Sequence, residues 1–221
     1  MLKSMLTRLR EANEQELDGG AGESGFTLIE LMVVLLIIAI LLAIAIPTFL
    51  GVANSAGDRA AQSNLTNALT EAKALYQNSA SYSPGGTAMT TGTFSSSAPE
   101  FSWTGSACTA SSNGNCVSEQ VVDTSQAGDG QGIVLAAYSS KTQSCWYAVD
   151  LESTPSAFTD TAPGVSFWSS AHVQSGATTA GVFYAHVSGT NAAAHCSGSY
   201  ASSTANPFAW GQSYASPGAG G

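Results

Sequence analysis

The sequence predicts an α+β protein: a long N-terminal helix packed on an antiparallel β-sheet head. Three observations lead there. Residues 31–46 form an unbroken apolar run of sixteen residues, too long for a strand. Residues 61–76 repeat their apolar positions every three or four residues, the period of an amphipathic helix. Beyond about residue 80 the chain turns to Ser, Thr, Gly and Ala, with short β-rich runs between turn residues.

Composition divides the chain into the same parts. Residues 1–25 are polar, with Lys3, Arg8 and Arg10 followed by Glu11, Glu14, Glu16, Asp18 and Glu23. They read as a cytoplasmic leader, residues 26–79 as the helix with a membrane segment over 26–50, and residues 80–221 as an exported head. The net charge of −9 has the wrong sign for neutralising phosphates. Residues 26–221 hold only Arg59, Lys73 and Lys141 as cations, so general nucleic-acid binding is not expected.

At about 1.5 Å per residue, residues 26–46 make a helix of about 31 Å, enough to cross a hydrocarbon core of about 30 Å. Basic residues precede the run, which places the N-terminus in the cytoplasm and the head outside. Pro47 ends the run and should kink or loosen the helix. A competing reading takes Ala43-Ile44-Ala45 as an ordinary secretory cleavage site. The acidic flank before the run and the carboxylate of Glu30 inside it both count against that. A carboxylate costs about 2.5 kcal/mol or more at a bilayer centre and less at its edge, so such groups usually have partners. Cleavage after Gly25 would free an amine on Phe26, one helical turn from Glu30. The pair could neutralise within a chain or between neighbours and so fix helix register. The plainer alternative is a Glu30 that faces lipid headgroups.

The stretch Gly25-Phe26-Thr27-Leu28-Ile29-Glu30-Leu31, followed by Met32-Val33-Val34, resembles the processing site of type IV prepilins. The resemblance covers residues 25 to about 80. It implies a type IV pilin-like fold, cleavage by a prepilin peptidase after Gly25, and N-methylation of the new terminus at Phe26. Glu30 falls on the family's glutamate at the fifth mature position, where it would pair with that amine during assembly, and Pro47 falls on the helix-loosening proline. It further implies a helical homo-oligomeric filament, built at the membrane by an assembly platform and an ATPase and ending at the cell surface. A minor pilin or a type II secretion pseudopilin shares the same N-terminal chemistry. A membrane-anchored binding module or enzyme with an uncleaved leader is the alternative of another class. The leader differs from many in the family in its length and its acidity near the cut, and Met5 is an alternative start.

After Pro47 the helix should resume, with Ala61, Leu65, Ala68, Leu69, Ala72, Leu75 and Tyr76 as its apolar stripe and an end near Asn78. Gly51 and Gly57 are expected weak points. Residues 131–138, 144–151, 164–169 and 181–188 predict a meander of about four antiparallel strands. Residues 84–130 read as loop with a short strand pair, and residues 217–221 as a disordered tail. All four cysteines follow the apolar run, which suits export and two disulfides. Three pairings are open; the preferred one closes a small loop with Cys108–Cys116 and joins two strand-like segments with Cys145–Cys196. Free buried thiols are the alternative.

Little in the head suggests chemistry, and no catalytic residue, metal site or cofactor is expected. His172, His186 and His195 lack metal-ligand spacing. His195 beside Cys196 could be a nucleophile pair, but neighbours on a strand point to opposite faces. Asp123 and Asp129 suggest a calcium loop without the alternating ligands such a loop needs. Asn64-Leu65-Thr66 is a glycosylation sequon inside a predicted helix. Neither a G-x-S-x-G elbow nor a phosphate loop occurs. Trp103, Trp146, Trp168 and Trp210 read as core rather than ligand platforms.

Overall fold

The computed structural model describes residues 25–156, 165–166, 175–189, 191–202 and 209–219. Helix α1, Leu28–Ser79, is 52 residues long and runs through Pro47. Proline cannot donate to the carbonyl one turn back. The carbonyl left without that donor is that of Ala43; the Thr48 hydroxyl adds a bond to the next carbonyl, Ile44, at 3.0 Å. The helix ends one residue past the expected position, at Ser79, where Ala80 turns to a positive φ of 52°.

The chain falls into two compact units, one ending at Phe49 and one beginning at Leu50. In the first, the apolar side chains from Phe26 to Phe49 are exposed, and the helix is long and apolar enough to cross a membrane. The second contains the rest of α1 and the sheet. A 3-10 turn (Pro84–Gly86) and helix α2 (Thr91–Ser97) lead into it. Four eight-residue strands form its body: β2 (Cys116–Asp123), β3 (Gly132–Ser139), β4 (Ser144–Leu151) and β6 (Gly181–Ser188). They lie antiparallel in the order β2-β3-β4-β6, with Leu135 opposite Ala148 and Ala148 opposite Tyr184. Short strands complete the edges in parallel: β1 (Ser102–Thr104) and β5 (Val165–Ser166) on β2, and β7 (Gly218–Ala219) on β6. Two short helices, α3 (Ala192–His195) and α4 (Gly198–Ser202), follow β6.

Both faces of the central strands are covered, which is why their sequences read as continuous apolar runs rather than alternations. Toward α1, Ile133, Leu135 and Ala137 meet Ala61, Leu65, Ala68, Leu69 and Ala72, joined by Phe94, Phe101 and Trp103. On the far side, Val134, Ala136, Cys145, Tyr147 and Val149 pack with Phe183, Trp210 and all four cysteines. Trp103, Trp146 and Trp210 are core residues, as the sequence suggested. Trp168 and His172 lie outside the described residues.

Several expectations need correction. Residues 84–130 were read as loop with a short pair, yet they contain β2, an eight-residue strand in the body of the sheet. Its polar letters hid it: Ser118 and Glu119 are buried, and the Ser118 hydroxyl accepts the Gly198 N–H at 3.1 Å. Of residues 164–169, the described part is the two-residue β5, which joins β2 in parallel instead of continuing the meander. The sheet is therefore mostly, not wholly, antiparallel. Within the tail expected to be disordered, Gly218 and Ala219 pair with Ala185 and His186. Gly57 is also a point of close contact, since a β-carbon there would stand 2.9 Å from Cβ and Cγ of Lys141.

Glu119 stands out in this packing. It is 7% exposed, and burial pushes its carboxyl up to about 7. Because the folded value exceeds the unfolded one, the folded chain binds the proton more tightly. Stability is then full below the unfolded pKa, about 4.5, and falls as pH rises through 7, by on the order of 3 kcal/mol. The unfolding midpoint of the head in denaturant should drop between about pH 5 and about pH 8, and Glu119→Gln should flatten that drop.

Candidate processing and assembly site

The N-terminus of α1 holds four residues singled out from sequence. Gly25 and Phe26 precede the helix in non-helical chain, and Phe26 is 82% exposed. Thr27 then caps the helix. Its hydroxyl oxygen accepts the Glu30 N–H at 3.3 Å, while Glu30 Oε2 accepts the Thr27 N–H at 3.1 Å and the Thr27 hydroxyl at 2.9 Å. This reciprocal pairing is a capping box, which satisfies helix N–H groups that have no carbonyl one turn back. The negative side chain also sits at the positive end of the helix dipole. Thr27 was missed from sequence, although Thr27-x-x-Glu30 before an apolar run is the signature of such a cap.

Glu30 is thus engaged by Thr27 within the intact chain. The cap turns its carboxylate back toward the Phe26–Thr27 backbone, the place where a cleaved chain would carry its new terminus. Pro47 lies inside α1, almost five turns further on. The four cysteines belong to the second unit.

Disulfides join Cys108 to Cys116 and Cys145 to Cys196. The first closes a short loop into the start of β2. The second ties β4 to the residue following α3, so it joins a strand to a helix end rather than two strands. His195 is correspondingly helical, and its ring stacks on Tyr200 at 4.1 Å while its neighbour Cys196 is spent in the disulfide.

The acidic loop after β2 is built inward. Asp123 accepts the N–H groups of Gly128 and Gly130, each at 2.8 Å. Gly130 has a φ of +54°, and a side chain there would collide with Ser83. Asp129 accepts N–H groups from Thr124, Ser125, Gln126 and Gln131. Burial works against its charge, but those four donors hold its carboxyl below the usual range. Both carboxylates are therefore occupied by backbone. Among the described residues no group of three His, Cys, Asp or Glu side chains could hold a metal ion.

The family comparison falls on the capped segment. Residues 21–46 match the family model of the prokaryotic N-terminal methylation motif. The chain is prepilin-like at its N-terminus. The match takes in the Gly25–Phe26 junction, the Thr27–Glu30 cap and the apolar run to Ile46, and such a motif is structural rather than enzymatic. No curated protein and no solved structure matches the chain.

In the uncleaved chain in detergent, Thr27→Ala should speed amide exchange at Glu30, because that N–H loses its acceptor. Glu30→Gln should leave the same amide protected, since glutamine also completes a capping box.

Proposed function

We propose that this chain is a structural subunit of a type IV pilus-like filament, cut between Gly25 and Phe26, methylated at Phe26, and polymerised through α1. The single observation that carries the reading is the match of residues 21–46 to the methylation motif, which includes a junction whose neighbouring Glu30 carboxylate already points back at it. An exposed apolar helix of this length needs either lipid or other helices around it. A membrane supplies the first before assembly and a bundle of identical helices the second afterwards. Residues 1–25 are then the leader, residues 26–50 the membrane and assembly segment, and the β-rich part a head on the outer side of the cytoplasmic membrane and then on the cell surface.

Prepilin peptidase is the processing partner on this reading, and a membrane platform with its ATPase drives extrusion. Glu30 changes partner from Thr27 to a Phe26 amine, which costs the cap but removes an uncompensated charge from an apolar bundle. Pro47 and Thr48 mark where the helix can adjust when packed. Disulfides at Cys108–Cys116 and Cys145–Cys196 harden the head against an unprotected exterior. A minor pilin or a type II secretion pseudopilin would use the same N-terminus, and abundance in sheared surface filaments separates them from a main subunit.

Mass spectrometry of the exported protein should show a methylated Phe26 terminus. An intact leader would instead support a membrane-anchored module, and a start at Ile46 ordinary secretion. Glu30→Gln then separates cap from charge. The variant should be cut normally and keep its helix cap, yet assemble poorly, as should Glu30→Ala. Normal filament yield from Glu30→Gln would refute the charge-pairing role.

A further inference from the structure

Lys73 leaves the last turns of α1 and reaches strand β4. Its Nζ lies 2.9 Å from Asp150 Oδ1 and 3.7 Å from Glu152 Oε1. Asp150 is 1% exposed, and its other oxygen accepts the hydroxyl of the wholly buried Tyr82 at 3.0 Å. The Tyr76 ring lies 5.0 Å from that of Tyr82 and extends the aromatic wall. Two carboxyls therefore share one amine at a site where one of them has almost no water. Surface ion pairs need no such enclosure and contribute little. Burial acts first on Lys73 and would depress its pKa, but the two carboxyls outweigh burial and hold it above the ordinary value. Glu152 is pushed up by burial and then by its hydrogen bond to Asp150, so its carboxyl takes up a proton more readily than that of an ordinary glutamate.

We propose that Lys73 and Asp150 condense into an intramolecular amide, with Glu152 as the proton carrier, tying α1 covalently to β4. The amine is already placed against the carboxyl it attacks, so the entropy of bringing the two together is spent in folding. Glu152 in its carboxylate form takes a proton from Nζ, and the neutral amine forms a C–N bond to Cγ of Asp150. The displaced electron pair rests on the oxygen that Tyr82 holds by hydrogen bond. Glu152 then delivers its proton to the other oxygen, takes a second from the now cationic nitrogen and passes it to the same oxygen, and that C–O bond breaks with loss of water. Of the three ammonium protons two leave in that water and one stays on the amide nitrogen, while ammonium and carboxylate charges cancel. No oxidant, cofactor or further reactant enters. The ionised pair is the resting state, and the small neutral fraction reacts once and irreversibly. The product joins the helix to a central strand, so that pulling on α1 would not peel it from the sheet.

Intact mass after disulfide reduction tests this without reference to leader cleavage or filament formation. The folded wild-type protein should be lighter than its sequence by one water, and digestion should yield a branched peptide joining Lys73 to Asp150. Lys73→Arg, which keeps the ion pair but cannot form this link, should have its full mass. Glu152→Gln should accumulate unlinked protein while retaining the Lys73–Asp150 contact. A wild-type protein of full mass after prolonged incubation in the folded state, with its Lys73 amine freely acetylated once denatured, would show an ordinary ion pair and overturn the proposal. That readout needs no variant to fold.

Discussion

A carboxylate placed at the start of an apolar helix has to be compensated, and the N-terminal half of this molecule is arranged around that need. In the uncut chain the compensation is local. Thr27 offers both an N–H and a hydroxyl to Glu30, and takes the Glu30 N–H in return. The same geometry also orients the carboxylate toward Phe26. On the proposed reading, processing replaces a neutral partner with a charged one at nearly the same place, and a charge-assisted bond is roughly twice as strong as a neutral one. Cutting and assembly are then coupled through one side chain.

The second unit meets a different constraint. Its strands are short of polar alternation because both faces are covered, one by α1 and one by the Trp210 and cysteine cluster. The small residues Ala61, Ala68 and Ala72 let the helix come close, and Gly57 does the same against Lys141. Polar groups that enter this packing are mostly held by named partners. Asp58 takes the Thr142 hydroxyl and, at 3.2 Å, the Trp146 indole N–H. Burial alone raises the Glu119 carboxyl, so acidity reaches the fold there.

How far the sequence reveals this depends on whether a signal is local. The apolar run, the amphipathic stripe from Ala61 to Ala72, β3 and β4 are periodic or continuous over a whole element, and all stand where the pattern puts them. Strand β2 was illegible because its polar residues Ser118 and Glu119 are buried, and the one partner that holds Ser118, Gly198, lies 80 positions away. The parallel edge pairings of β1, β5 and β7 were equally hidden, since two or three residues carry no period. At the N-terminus the Gly25–Phe26 junction and Glu30 could be picked out from a motif. Thr27 could have been read as well, because a capping box is a four-residue signal. The Lys73–Asp150–Glu152 group could not be seen in advance: its members come from a helix and a strand more than seventy positions apart.

The exchange of partners at Glu30 is best tested by measuring where its carboxyl sits in the assembled state. Solid-state NMR on filaments labelled with nitrogen-15 at the Phe26 amine and carbon-13 at the Glu30 carboxyl reads the distance directly. Mixing singly labelled subunits separates contact within a chain from contact between neighbours. A strong dipolar coupling at ion-pair distance, in either arrangement, is the predicted result. An assembled filament with no such coupling and with Glu30 still bonded to Thr27 would contradict it.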